Sequence, residues 1–359
     1  MWPFSKPPSW LGVDIGAYGV KVVQLEKKKK RSHLFTFGYA NARLADGVKE
    51  AEAGLLDVQK TAELLKKICA KAKVTTKQTL AALPLSSVLT SVISIPRLDK
   101  KEADMFVRRE AEKFSPLPID EMQIEWTAIK RAKPASGEVV AEQSQEVLLT
   151  AASKKTIRAY SEICKQAGLQ LISLEAETYA LISALVGKDL SSLIIIDIGA
   201  SQTDFFLIES GVPVLTHSLA LGGRTFTELI SRTLGVDLSQ AEQIKMDLGA
   251  RPLGERNASG FFQIFESAVS PIVDGINYLL DLSLKQRATA EKPEKFILTG
   301  GGALLPNLDA HLARLFSTKV YLADPWARVI YDEGLKPLLD SLGPRLAVAL
   351  GLVIKKIES

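Results

Sequence analysis

Two short stretches of the sequence repeat one combination of an acid, a glycine and apolar flanks. The first, LGVDIGAYGVKVVQLE, contains Asp14 and Gly16, and the second, LIIIDIGASQTDFFLIE, contains Asp197 and Gly199. An ionised carboxylate at the end of an apolar strand costs free energy unless something pairs with it. Apolar, β-branched residues stand on both sides of each DIGA segment, which predicts a strand, a tight turn and a second strand. We therefore interpret the two stretches as copies of one hairpin, one in each half of the chain.

The two glycine turns suit phosphate chemistry. Glycine permits positive φ angles and close approach of the backbone, and successive N–H groups in such a turn form a cradle for anions. An acid beside such a cradle makes sense if a cation lies between them, and Mg²⁺ prefers oxygen ligands while keeping several waters. We therefore expect Asp14 and Asp197 to hold Mg²⁺ largely through water. Two turns that bind one phosphate tail from opposite sides require a cleft between two similar lobes.

One turn of this kind is weak evidence, because aspartate–glycine turns are common. Two turns at equivalent places are much stronger. Lys21 follows the first turn and points either to phosphate or to solvent, while Ser201 and Thr203 offer hydroxyls in the second. The predicted phosphate-binding residues are Asp14, Gly16, Ala17, Tyr18, Gly19 and Lys21 in the first hairpin, and Asp197, Gly199, Ala200, Ser201 and Thr203 in the second.

A third glycine-rich segment, FILTGGGALLPNL, places Gly300, Gly301 and Gly302 between a buried strand and a helix. Backbone without side chains allows close contact with a flat base or a ribose there. The alternative is a tight strand-to-helix turn without a ligand.

Strand and helix patterns alternate along the chain and predict an α/β fold. A block of strand, helix, strand, strand, helix and strand interrupts the first half. The predicted divisions are an N-terminal arm at 1–10, a first lobe at 11–84 and 169–189, an inserted subdomain at 85–168, and a second lobe at 190–359.

The composition is that of an ordinary globular protein, with 47% apolar and 24% charged residues among 359. The net charge of +4 is too small to indicate a nucleic-acid partner. No apolar run reaches the roughly 18 residues of a transmembrane helix. Cys69 and Cys164 predict no disulfide framework, and with three histidines there is no metal-ligand cluster. We expect a reduced, cytoplasmic protein.

The two hairpins and the third glycine segment, in this order, resemble the actin-like ATPase superfamily. There they are the two phosphate loops and the adenosine loop of a two-lobed fold. The resemblance implies ATP as the ligand, with an adenosine-side subdomain at about 223–290 of the second lobe.

Further segments match the same superfamily. Glu177, in EAETYALISAL, falls on the acid that orders the attacking water in members that hydrolyse ATP. Glu242 and Lys245, in AEQIKMDLG, fall on the border of the adenosine pocket, although the pattern alone also fits an exposed amphipathic helix. Gly222 and Gly223, in SLALGGRTFTELI, match the start of a helix that faces the nucleotide with free N–H groups.

The inserted block resembles that of the cell-division protein FtsA and its relatives. Within that set, FVRREAEKFSPLPIDEMQIEW is similar to a stretch of the pilus-assembly family PilM, and the resemblance extends over 9–357. It implies a cytoplasmic ATP-binding scaffold of the type IV pilus machine, peripheral to the inner membrane through its partner. The implied partner is the N-terminal cytoplasmic peptide of the membrane protein PilN. Pilus motor ATPases, the platform protein and a second copy of the chain are further candidates.

The first loop departs from the family, which usually has serine or threonine at the position of Ala17 or of Tyr18. We expect tight ATP binding with slow or absent hydrolysis, because ordering a water needs accurate positioning and Glu177 is the one candidate for it. Two alternatives stay open. A small-molecule kinase of the same superfold would need an acceptor base, which the sequence does not mark. An FtsA-like membrane-associated filament protein usually ends in an amphipathic helix after a linker, whereas LAVALGLVIKKIES reaches the end of the chain directly.

Overall fold

The structure, a computed structural model, describes residues 6–16, 19–41, 57–129, 144–250, 259–286 and 292–359. Over these residues the chain forms three β-sheets of six, five and three strands, with helices packed on their faces. Two large sheets with a smaller inserted one agree with the predicted α/β fold.

Strands and helices are numbered separately in chain order. The strands are β1 (Ser9–Gly16), β2 (Gly19–Lys28), β3 (Arg31–Asn41), β4 (Gln78–Leu83), β5 (Val88–Pro96), β6 (Met122–Ala128), β7 (Ser144–Ser153), β8 (Gln170–Ala176), β9 (Leu193–Ile198), β10 (Thr203–Glu209), β11 (Val212–Leu219), β12 (Lys295–Thr299), β13 (Lys319–Leu322) and β14 (Val329–Ile330). The helices are α1 (Val58–Lys71), α2 (Lys100–Phe114), α3 (Lys154–Gln166), α4 (Glu177–Leu181, continued by a π-helical turn at Ile182–Val186), α5 (Gly223–Leu234), α6 (Leu238–Ala250), α7 (Ser259–Gln286), α8 (Leu308–Phe316) and α9 (Lys336–Glu358).

The six-stranded sheet has the order β14-β3-β2-β1-β4-β8 and contains the first DIGA hairpin. Strands β1 and β2 pair antiparallel and close at Gly16 opposite Gly19. Successive side chains point to opposite faces of a strand. Accordingly Val22 packs towards α1 and α3, whereas Val23 packs towards α4 and α9. Burial on both faces explains why this part of the sequence is continuously apolar.

The five-stranded sheet has the order β11-β10-β9-β12-β13 and contains the second hairpin. Strands β9 and β10 pair antiparallel and close at Ile198 opposite Thr203. Ile194 lies in the core formed with α5, α6, α7 and α8, and Ile195 lies in the core formed with α9. Both hairpins expected from the sequence are therefore present, one in each large sheet.

Helix α9 packs between the two large sheets, in a core that contains residues of both. A Cβ atom on Gly12 of β1 would lie 1.9 Å from the carbonyl oxygen of Ala349, and one on Gly351 would lie 1.9 Å from that of Ala180. Glycine at these two positions therefore lets α9 contact a strand and a helix directly through the backbone.

Helix α9 is also the apolar end of the chain. Among the described residues one segment, Glu333–Glu358, is long and apolar enough to cross a membrane, and 72% of its apolar window is buried inside the fold. Its residues form part of the protein core. The sequence predicts that 190–359 forms the second lobe. In the structure, α9 also covers the six-stranded sheet of the first lobe, and β14 pairs with β3 at the edge of that sheet.

The three-stranded sheet has the order β5-β7-β6, and α2 covers it through Ala103, Val107 and Ala111. Asp99 caps α2 by accepting a hydrogen bond from the N–H of Glu102. This unit lies within the inserted block that the sequence predicts.

Two boundaries differ from the sequence-based divisions. Helix α3 falls in the predicted subdomain at 85–168, yet its Tyr160 and Ile163 lie in the core of the six-stranded sheet beside α1. Trp10, in the predicted arm, belongs to β1 and pairs with Leu25. An amphipathic helix packs wherever its apolar face finds a partner, so sequence order alone misplaces α3.

We expect Gly351→Ala to lower the free energy of unfolding by about 1–3 kcal/mol, because overpacking at a backbone contact forces the elements apart. The added methyl group would lie 1.9 Å from the carbonyl oxygen of Ala180. Urea denaturation measures the change. In the control Gly334→Ala, the added Cβ would lie 3.1 Å from Oδ1 of the exposed Asp332 side chain. This variant should change the same free energy by less than about 0.5 kcal/mol. Equal values for the two variants would contradict the contact.

Candidate functional site

A cavity with a volume of about 540 Å³ lies where the two DIGA turns and the third glycine segment meet. Of the predicted site residues, Ala17 and Tyr18 lie outside the described residues, and Thr203 and Gly222 are not part of the wall. The predicted residues that line the cavity are Asp14, Gly16, Gly19, Lys21, Glu177, Asp197, Gly199, Ala200, Ser201, Gly223, Glu242, Lys245, Gly300, Gly301 and Gly302.

The first hairpin carries an ion pair, so its two charges cancel. Asp14 and Lys21 are directly opposite on β1 and β2, and the Nζ atom of Lys21 lies 2.7 Å from Oδ2 of Asp14. Burial favours the neutral amine, but the Asp14 carboxylate outweighs it and raises the pKa of Lys21. Of the two orientations left open for Lys21, the structure has it facing the cavity, paired with the acid.

The second hairpin carries two acids in the same register. Asp197 is directly opposite Asp204 on β9 and β10. Burial raises the pKa of Asp197 from 3.8 to about 7, and the carboxylate of Asp204 adds to the rise. Burial also raises the pKa of Asp204 to about 6, against the effect of hydrogen bonds from Ser218 and Gln202. This hairpin therefore brings excess negative charge to the cavity.

The donor set at this end of the cavity fits a water-coordinated Mg²⁺ ion. Asp14 and Asp197 both line the cavity, and Asp204 stands beside them. Among the described residues no group of three or more histidine, cysteine or acidic side chains is close enough together to hold a metal directly. Mg²⁺ keeps several of its waters and binds through few carboxylates. A cation would also lower the raised pKa of Asp197, since opposite charge favours the ionised form.

Glu177 lies in the first turn of α4 and is buried. Its Oε1 accepts a hydrogen bond from the N–H of Leu85 at 2.5 Å. Burial, followed by the carboxylates of Asp204 and Asp197, raises its pKa well above the ordinary value. The Leu85 N–H occupies one oxygen of the only acid that was predicted from the sequence to order water.

The third glycine segment approaches the second hairpin closely. Gly300 has a φ of +81°, and a Cβ atom there would lie 2.3 Å from Oδ1 of Asp197. A Cβ on Gly302 would lie 2.3 Å from Cγ2 of Ile198. The N–H of Gly300 donates to the carbonyl of Pro344 at 3.0 Å. Glycine is therefore required here to place the bare backbone of this turn against the hairpin.

Helix α6 contributes a lysine and an acid to the cavity wall. Nζ of Lys245 lies 2.6 Å from Oε2 of Glu242 and 2.7 Å from Oγ1 of Thr227, and it donates to the carbonyl of Gly223 at 2.8 Å. Burial lowers the pKa of Lys245. Burial acts to raise the pKa of Glu242, but hydrogen bonds from Lys245 and Thr227 outweigh it and lower the pKa. The pair joins α6 to the start of α5.

The structure corrects two expectations about hydrogen-bonding groups. The hydroxyl of Thr203 is buried and donates to the carbonyl of Leu221 at 2.7 Å, so it does not face the cavity. The N–H groups expected to be free at the start of α5 are used internally, because Gly223 donates to the carbonyl of Gly199 at 2.8 Å. Gly222 packs on the same loop, where a Cβ would lie 2.7 Å from the Gly199 oxygen. Helix α5 thus supports the second turn from behind.

The cavity also contains residues that were not predicted from the sequence, among them Asp204, Tyr160 and Arg345. The sequence could have indicated Asp204, because an alignment of the two hairpins places it at the position of Lys21. Tyr160 on α3 and Arg345 on α9 come from distant segments, and no local pattern marks them.

Two large sheets with equivalent hairpins around one cavity define an actin-like fold. Solved structures share it. MreB5 of Spiroplasma citri bound to ADP has a TM-score of 0.57 and 16% identity, covering 98% of this chain and 97% of that one. The cell division protein FtsA of Streptococcus pneumoniae is 24% identical over 355 residues, which is 88% of this chain and 75% of that protein. FtsA of Bacillus subtilis is 24% identical over 197 residues, and the match spans 45% of its length.

The family model of the type IV pilus assembly protein PilM matches residues 12–357, and the chain belongs to this family. The solved PilM–PilN type IV pilus biogenesis complex has a TM-score of 0.79 and 25% identity, covering 99% of this chain and all of that one. The predicted actin-like fold and the predicted family are both confirmed.

We expect the protein without ligand to gain stability from Asp197 as the pH falls from about 7 towards 4. The pKa of Asp197 is about 7 in the fold, against an ordinary value of 3.8. Between these two pH values the folded state binds a proton that the unfolded state does not. The free energy of unfolding therefore rises by at most about 1.4 kcal/mol for each unit by which the pH falls. Asp197→Asn removes this titration. The variant should therefore have a larger free energy of unfolding than the wild type at pH 8, and this margin should shrink towards pH 5.

Urea unfolding at pH 8, 7, 6 and 5 in buffers without divalent cations measures this margin. Asp204, with a pKa of about 6, still titrates in the variant, and the margin includes the repulsion that Asp204 exerts on Asp197 in the wild type. A constant margin across the series would show that Asp197 does not titrate in this range.

Proposed function

We propose that this protein is an ATP-binding scaffold of type IV pilus assembly. The observation that carries the proposal is the single cavity into which equivalent hairpins of two sheets each bring an acid and a glycine turn. Membership of the PilM family supplies the setting, pilus assembly.

In this proposal the phosphate tail lies between Gly16 and Gly199, and the adenosine lies towards Gly301. The bare backbone of the third glycine segment supports the second placement. So does Arg345, whose buried Nε has no hydrogen-bond partner among the described residues. Arg345 lines the cavity beside Gly301, where a Cβ would be 3.4 Å from that nitrogen. MreB5 of Spiroplasma citri, which shares the fold, was solved with ADP and with AMPPNP.

Mg²⁺ would be held by Asp14 and Asp197 largely through water, with Asp204 adding negative charge. When bound, the ion supplies positive charge that neutralises phosphate oxygens. Lys21 stays protonated beside Asp14 and offers a second cation at the same end of the cavity.

Hydrolysis is slow or absent in this proposal. Glu177 is the candidate for ordering water, and its Oε1 already accepts a hydrogen bond from the N–H of Leu85, which leaves the carboxyl less free to orient a water. ATP then acts as a ligand that favours one arrangement of the lobes by its differential affinity for it.

The partner in this proposal is the N-terminal cytoplasmic peptide of PilN, docked between the first lobe and the inserted unit. The match to the solved PilM–PilN complex supports it. The protein would be cytoplasmic and held at the inner membrane by this peptide, with pilus motor ATPases and the platform protein as further contacts.

We expect Asp197→Ala to lower the affinity for Mg·ATP at least tenfold while leaving the fold intact, because the metal loses its carboxylate. Isothermal titration with ATP in Mg²⁺ and in EDTA measures the effect, and circular dichroism checks the fold. The control Asp340→Ala removes an acid that pairs with Lys336 at 3.1 Å on the exposed side of α9. Unchanged affinity in Asp197→Ala would refute the metal role.

We expect a synthetic peptide of the cytoplasmic head of the cognate PilN to bind the full chain, whereas a scrambled peptide of the same composition does not. Fluorescence anisotropy with a labelled peptide measures the binding. If the chain binds Mg·ATP but shows equal anisotropy with both peptides, the PilN contact is refuted and the proposed nucleotide site is not.

A further inference from the structure

Two cavity-lining residues of the described chain carry a buried polar atom without a hydrogen-bond partner: Tyr160 and Arg345. Arg345 lies beside the third glycine segment, as described above. Tyr160 lines the same cavity, and the carboxylates of Asp14 and Glu177 act electrostatically on its hydroxyl. Both unpartnered groups therefore belong to residues in the wall of one cavity.

Tyr160 is almost completely buried, with 1% of its surface exposed. Its ring packs in the core of the six-stranded sheet, on the buried face of α3 together with Thr156, Ile163 and Cys164. Burial and the carboxylates of Asp14 and Glu177 raise its pKa. The hydroxyl therefore stays protonated and is available as a donor.

A buried hydroxyl without a partner costs about 1–3 kcal/mol relative to one that is hydrogen-bonded. Phenylalanine would fill the same core without this cost. Tyrosine here is accordingly unfavourable for the protein alone, and Tyr160 lines the same cavity as the acids Asp14 and Asp197 of the two hairpins. An acceptor oxygen brought by a ligand would offset the cost.

We propose that Tyr160 is a positioning residue of this cavity, whose hydroxyl donates a hydrogen bond to an oxygen at the triphosphate end of the bound Mg·nucleotide. The inference rests on the proposed nucleotide function and adds to it a contact from α3. Helix α3 begins directly after β7, the central strand of the inserted sheet, and Ser153 caps it by accepting from the N–H of Lys155.

The test is Tyr160→Phe in the full chain, with two measurements. Melting of the ligand-free protein should occur at the same or a higher temperature than in the wild type, because an unpartnered hydroxyl is removed. Titration with a fluorescent ATP analogue in Mg²⁺ should show about tenfold or more weaker binding, the size of a lost hydrogen bond to a charged acceptor. Loss of affinity together with retained stability supports the proposal.

The matched control is Tyr179→Phe. Tyr179 lies in the same lobe, its hydroxyl is hydrogen-bonded with Thr150, and it does not line the cavity. It should bind the analogue as the wild type does. A Tyr160→Phe protein with wild-type affinity, or with a lower melting temperature and unchanged affinity, would overturn the contact and leave Tyr160 as a packing residue. A wild-type chain that binds no Mg·ATP would instead refute the nucleotide function itself.

Discussion

The site depends on one pairing: Asp197 stands directly opposite Asp204 on two adjacent antiparallel strands. The first hairpin places Asp14 opposite Lys21 in the same register, so its charges cancel within the strand pair. The second hairpin has no such lysine, and burial raises the pKa of both its carboxyls, with the charge of Asp204 adding to the rise at Asp197. The two copies of the hairpin therefore differ where it matters chemically. One supplies a neutral ion pair and the other supplies a negative charge that a cation would stabilise.

A fold can keep such a charged group buried only if the remaining packing is favourable enough. Strands β9 and β10 are buried on both faces, with Ile195 and Phe206 towards α9 and Ile194 and Phe205 towards the second core. Helix α9 joins the two sheets through backbone contacts that glycine permits. The apolar core thus fixes the distance between the hairpins, and the polar cavity exists because two rigid sheets meet there. Groups that lower stability and line a cavity are expected at functional sites.

Local pattern was sufficient to predict what lies within one hairpin or turn. The DIGA copies predicted both strand pairs, and the glycine segment predicted a bare backbone beside the second hairpin. Thr203 was misassigned because its hydroxyl is used by the carbonyl of Leu221, a contact eighteen residues away that the turn sequence does not show. Tyr160 reaches the cavity from α3 in the same way, through tertiary packing. Sequence periodicity states which face of a helix is buried, but not which core it enters.

The same two helices that crossed the predicted boundaries also carry the unpartnered groups of the cavity. Helix α3 continues from the inserted sheet and brings Tyr160, and helix α9 spans both large sheets and brings Arg345. The cavity wall is therefore built from elements that connect all three sheets. A ligand in the cavity would contact both connecting helices. If it bound one arrangement of the sheets more tightly than another, it would shift the equilibrium between those arrangements.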